Sequence, residues 1–135
     1  TTVDFIVNNR LLREFESTAP NPEEIKRLLE EVQRMRVKLN YNQLEFAVTN
    51  RVDVLMAKIQ LEPHDLETMD LLISLLEVLE GSKLEADYWQ AQNIAFYMQQ
   101  NGYKDYKARS QKGDQQAQVW CQQFEKLYEN LNLKL

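Results

Sequence analysis

The chain has 135 residues, with 16 lysines and arginines against 21 aspartates and glutamates and a net charge of −5. That length suits a single domain with a core of its own. The acidic balance argues against a dedicated binder of nucleic acid or anionic membrane, which needs a basic excess. One cysteine, Cys121, excludes an intramolecular disulfide and any multi-cysteine zinc site, and one histidine, His64, excludes a site built on two imidazoles. Three glycines and three prolines are too few for the tight turns of a β-rich fold.

Apolar residues recur at spacings of three and four along nearly the whole chain, which predicts helices. The first runs from about Asp4 to Ser17, with Ile6 or Val7, Leu11, Leu12 and Phe15 on one face, and Pro20 and Pro22 break it. The second starts on the strongest local signal: Asn21 as cap, Pro22 at the first helical position, and Glu24 placed for a capping box. Its expected buried stripe is Ile25, Leu28, Leu29, Val32 and Met35. Asn40 with Gln43 opens a third helix through Leu44, Val48, Val52, Leu55 and Ile59, which Pro63 ends. Asp65 caps a fourth helix running to Leu79. There Leu71, Ile73 and Val78 widen the apolar face, as expected of a segment at the centre of a bundle. Gly81 suits the end of that helix, and Ser82 with Glu85 predicts the capping box of a fifth helix containing Tyr88, Trp89, Ala91, Ile94, Ala95, Tyr97 and Met98. Asn101-Gly102 reads as its C-terminal stop. A short basic piece from Tyr103 to Lys112 follows, then a last helix with the stripe Ala117, Trp120, Phe124, Leu127 and Leu131. The expected fold is an all-α, antiparallel bundle of five to seven helices, forming one domain over residues 1–135. The missing initiator methionine and the immediate apolar start suggest a trimmed or excised piece of a longer protein, with simple removal of the methionine as the alternative.

No phosphate-binding glycine loop, nucleophile elbow or metal-ligand spacing occurs, and the expectation is no catalytic residue, no metal and no cofactor. The acidic pairs, such as Glu23 with Glu24 and Glu30 with Glu31, point about 100° apart on a helix and do not converge by themselves. The longest apolar stretch, Leu71 to Leu79, is too short to span a bilayer. The lone thiol fits a reducing, cytoplasmic compartment. The one segment with ligand-binding character is Tyr103, Lys104, Tyr106, Lys107 and Arg109: locally basic, with two rings able to stack on sugars or bases. The alternative is that these rings cover the core while the cations stay in water. Tyr88, Trp89 and Tyr97 pose the same choice between core and ligand.

Two stretches carry a resemblance. One is Leu84-Glu85-Ala86-Asp87-Tyr88-Trp89-Gln90-Ala91-Gln92-Asn93; the other is Ala108, Gly113-Asp114, Ala117, Trp120, Phe124 and Leu127. The opening Phe5-Ile6-Val7-Asn8-Asn9 and the break at Val37-Lys38-Leu39-Asn40 fit in order. Together they resemble the end of the uncharacterised helical domain that follows the catalytic barrel in glycoside hydrolase family 57-like proteins. The resemblance implies a setting in α-glucan metabolism and a non-catalytic accessory role, packing on a catalytic domain of the same or another chain. It carries over no catalytic residue, because that family's two carboxylates belong to the barrel, and no barrel is present. Two other readings stand beside it: a free-standing helical protein–protein interaction module, and a glycan-binding module taking an α-glucan at the Tyr103–Arg109 segment.

Overall fold

The computed structural model describes residues 1–135 as seven α-helices with no strand, the all-α class that the spacing predicts. They are α1 (Thr2–Glu16), α2 (Pro22–Met35), α3 (Tyr41–Leu61), α4 (Leu66–Glu80), α5 (Trp89–Gln100), α6 (Gly102–Gln111) and α7 (Gln115–Asn130). None is long and apolar enough to cross a membrane. The chain divides into two compact units, Thr1–Arg51 with Glu77–Asp87, and Val52–Leu76 with Tyr88–Leu135.

In the first unit α1 packs on α2. The buried side chains include Val7, Leu11 and Phe15 from α1, Ile25 and Leu28 from α2, and Leu44 and Val48 from α3. Asn21 caps α2 as expected, accepting from the backbone N–H of Glu23 at 3.1 Å and of Glu24 at 3.3 Å. Glu24 does not close the box. Its carboxylate runs forward to Arg27, 2.5 Å from Nη2, while Glu14 of α1 accepts the Asn21 N–H at 2.9 Å. Met35 leaves the expected stripe for solvent, because α2 ends there with Arg36 in the left-handed region at φ 51°.

A buried amide ties α1 to the α2–α3 connection. Asn8 Nδ2 donates to the carbonyls of Asp4 at 2.7 Å and Lys38 at 2.9 Å, and its Oδ1 accepts the Asn40 N–H at 2.7 Å. Asp4 adds a bond from the Lys38 N–H to Oδ1 at 3.2 Å. Residues 82–88 correct the expected early start of α5. Ser82 does not cap a helix: its hydroxyl donates to the Leu79 carbonyl at 2.7 Å and accepts the Leu84 N–H at 3.2 Å. The Glu85 and Asp87 N–H groups go to Glu45 at 2.6 Å and Thr49 at 3.1 Å on α3. These side-chain acceptors replace the helical bonds that the local pattern offered.

In the second unit α5 packs on α6, and α6 on α7. Asp65 caps α4 through the N–H groups of Glu67 at 3.1 Å and Thr68 at 3.4 Å, and accepts the Thr68 hydroxyl at 2.9 Å. Within α4, Leu72 and Ile73 are both buried, along with Met69 and Leu76, so burial extends beyond a single stripe. α5 stops at Asn101-Gly102 as expected, with Gln100 its last residue and Asn101 its C-cap. The basic piece is a full helix of ten residues that begins at Gly102 itself, after a single intervening Asn101. The glycine that a turn does require is Gly113, at φ 93° between α6 and α7.

Candidate functional site

The tyrosine and lysine positions singled out in the sequence lie on α6, and α7 decides what they do. Tyr103 and Lys107 are one turn apart and converge on Glu125 of α7. The Tyr103 hydroxyl donates to Glu125 Oε2 at 2.6 Å, and Lys107 Nζ stands 3.4 Å from the same oxygen. Burial and then the bond to the Glu125 carboxylate push the Tyr103 hydroxyl far above its ordinary value of 10, so it stays protonated.

Tyr106 and Arg109 form the second pair. The Tyr106 ring stacks on Trp120 with centroids 3.9 Å apart and planes at 9°, and Trp120 stacks in turn on Phe124 at 5.0 Å and 7°. Tyr103 meets Phe124 at 5.4 Å, and Tyr128 meets it at 5.8 Å. The Arg109 guanidinium lies 5.1 Å from the Tyr106 ring centroid and bonds Asp114 Oδ2 at 3.1 and 3.0 Å. Asp114 also caps α7 by accepting the Ala117 N–H at 3.1 Å. That bond first, and Arg109 second, hold its carboxyl below the usual value. Lys104 is the member that faces water without joining either pair.

Both tyrosine rings are therefore half-buried against α7. The sequence missed their anchors: Glu125, and the Pro63 carbonyl that takes the Trp120 indole N–H at 2.5 Å. The readable signal was the i, i+4 spacing of Tyr103 with Lys107, set beside the Trp120–Phe124–Tyr128 stripe. Cys121, next to Trp120 in α7, is buried. Desolvation first, and then the nearby Glu125 charge, raise its thiol, so it is not a ready nucleophile at neutral pH.

Elsewhere, a shallow surface hollow along the start of α2 is lined by Asn21, Glu23, Glu24, Lys26, Arg27 and Glu30. Arg27 bridges Glu24 at 2.5 Å and Glu31 at 3.6 Å, so these two acidic side chains are held in surface ion pairs. His64 is exposed beside Asp65.

A second aromatic group does face water. Trp89, Phe96 and Tyr97 of α5 are exposed, whereas Ala91, Ala95 and Met98 on the opposite side of the helix are buried. Tyr88 is half-buried at the helix start.

No family model matches the chain, and neither a curated protein nor a solved structure does.

Proposed function

We propose that the chain is a non-catalytic helical accessory domain that packs on the catalytic domain of an α-glucan-acting, glycoside hydrolase family 57-like protein. The observation that carries the docking role is the outward side of α1. Val3, Phe5 and Ile6 are exposed in its first turns; Ile6 shares its side with Arg10 and Arg13, and Val3 and Phe5 flank that side at about 60° and 100°. Phe46 of α3 is 70% exposed in the same unit. Large apolar side chains exposed in this way cost free energy in water and gain it under a partner surface. The glucan setting rests on the resemblance alone. Two of the stretches that carry it, Phe5–Asn9 and Val37–Asn40, meet through the Asn8 amide, which favours reading them as one structural device. The engagement of Tyr103 and Tyr106 with α7 likewise favours packing over ligand capture for that segment.

The test is the size of the native polypeptide and the activity of the isolated chain. An antibody against this domain, applied to a lysate of the source cells, is expected to mark a band several times heavier than 16.0 kDa. The purified chain is expected to leave maltooligosaccharides unchanged. A band near 16.0 kDa would overturn the accessory reading in favour of a free-standing interaction module. Turnover abolished by replacing one carboxylate would overturn the non-catalytic one.

A further inference from the structure

In a chain whose residues are 27% charged, α5 is the one helix without a charge: its twelve residues, WQAQNIAFYMQQ, include no Asp, Glu, Lys or Arg. At about 100° per residue, Trp89, Asn93, Phe96 and Gln100 fall within an arc of about 60°. Their steps of four, three and four are those of a helix–helix seam. Ala91, Ala95 and Met98, opposite this arc, are buried. The arc faces water, with Trp89 69% and Phe96 53% exposed and Asn93 and Gln100 exposed with them; Tyr97, 60% exposed, and Gln90 widen the surface on one flank. Every side chain on this surface is thus a ring or an amide.

We propose that this surface is a self-association site, on which α5 of one copy lies antiparallel to α5 of a second copy with the two-fold axis close to Asn93. The argument is one of charge and self-complementarity. A two-fold contact sets each surface against its own copy, residue i opposite j and j opposite i. A surface of fixed charges would then oppose like with like, and each copy already carries a net −5. Rings stack on rings, and an amide both donates and accepts, so Asn93 satisfies a second Asn93. The uncharged helix is the surface of this acidic chain on which two copies meet at least cost.

The area sets the strength. Aromatic side chains of this kind carry roughly 200 Å² each, so at these exposures the three rings offer about 360 Å² per copy. Two copies with their amides remove on the order of 1,000–1,200 Å² from water, the lower end for a specific interface. The association is therefore reversible and concentration-dependent.

The experiment is sedimentation or light scattering on the 135-residue chain, from micromolar towards millimolar concentration. The weight-average mass is expected to climb from 16.0 kDa towards twice that value. Trp89→Ser with Phe96→Ser, both at exposed positions, is expected to hold the mass at the monomer with an unchanged circular-dichroism spectrum. Asn93→Cys is expected to give a disulfide-linked dimer under mild oxidation, since the one native thiol, Cys121, is buried. A chain that stays monomeric throughout overturns the proposal. In that case maltoheptaose added to the labelled chain tests a sugar as the occupant: shifted α5 amide resonances mean a sugar, and unshifted ones exclude it. Association that survives the double substitution, or an Asn93→Cys variant that never cross-links while dimeric, also overturns the α5 assignment. None of these outcomes depends on the α1 side on which the accessory role rests.

Discussion

Asp114 is held in its charged form by the Ala117 N–H and the Arg109 guanidinium, and that preference links stability to pH. Its folded pKa lies below the ordinary value of 3.8, so its contribution is complete above that value. It is lost as the pH falls through the lowered folded pKa, where the unfolded chain binds the proton first. Asp114→Asn should therefore melt below the parent at pH 7, and the gap should close as the pH is brought down through the carboxylate range. A gap that persists undiminished at the acid end would mean that Asp114 acts by packing, not charge. Asn8 makes a different case, since nothing titrates. Asn8→Ala empties a buried side-chain position and leaves the part-buried Asn40 N–H and Lys38 carbonyl without their partner. The expected loss is about 2–3 kcal/mol by denaturant titration, against a few tenths for Asn9→Ala on the exposed side of the same helix.

At the scale of the element, the α6–α7 pair is an aromatic stack closed by polar ends. Tyr106→Ala removes the ring lying 3.9 Å from Trp120 and also uncovers the Trp120 indole. In a Trp89→Phe background, where Trp120 is the one remaining indole, its emission should move to longer wavelength. Stability should fall by about 1–2 kcal/mol, from the stack and the area it covers. Unchanged emission with lost glucan binding would restore the ligand reading of this segment. The same pair shows what the sequence could and could not reveal. Helix spacing and caps were legible because they are local: Asn21, Asp65 and the Ala117–Leu131 stripe act within a turn or two of themselves. The partners of Tyr103 and Tyr106 were not, because they lie on a different helix. The fifth helix was placed too early for a related reason. Ser82 and Glu85 have the spacing of a capping box, but Glu45 and Thr49, about forty residues away, take the backbone donors of that strap. No local rule marks the aromatic side of α5 as outward, since ring spacing is the same whether a stripe is buried or exposed.

At the scale of the whole molecule, two helices belong to both units. α3 passes from the first to the second between Arg51 and Val52, and α4 passes back between Leu76 and Glu77. Helix formation is cooperative along its length, because extension beyond an existing turn costs less than a new nucleus. Continuous α3 and α4 should therefore couple the unfolding of the two units. Both tryptophans, Trp89 and Trp120, lie in the second unit, so their fluorescence follows that unit alone while far-ultraviolet circular dichroism follows all seven helices. For the parent chain the two signals should melt at one temperature, the mark of a two-state transition. Asn50 is exposed, inside α3, and next to the boundary. Asn50→Pro removes a backbone donor there and clashes with the preceding turn, at a cost of about 3 kcal/mol within a helix. If α3 carries the coupling, this variant should split the melt: dichroism should begin to fall at a lower temperature than fluorescence, as the first unit loses its share of α3 before the second. If both signals fall together to the same lower temperature, the coupling does not run through α3. Dichroism and fluorescence already separated in the parent would show that the continuous helices do not couple the units at all.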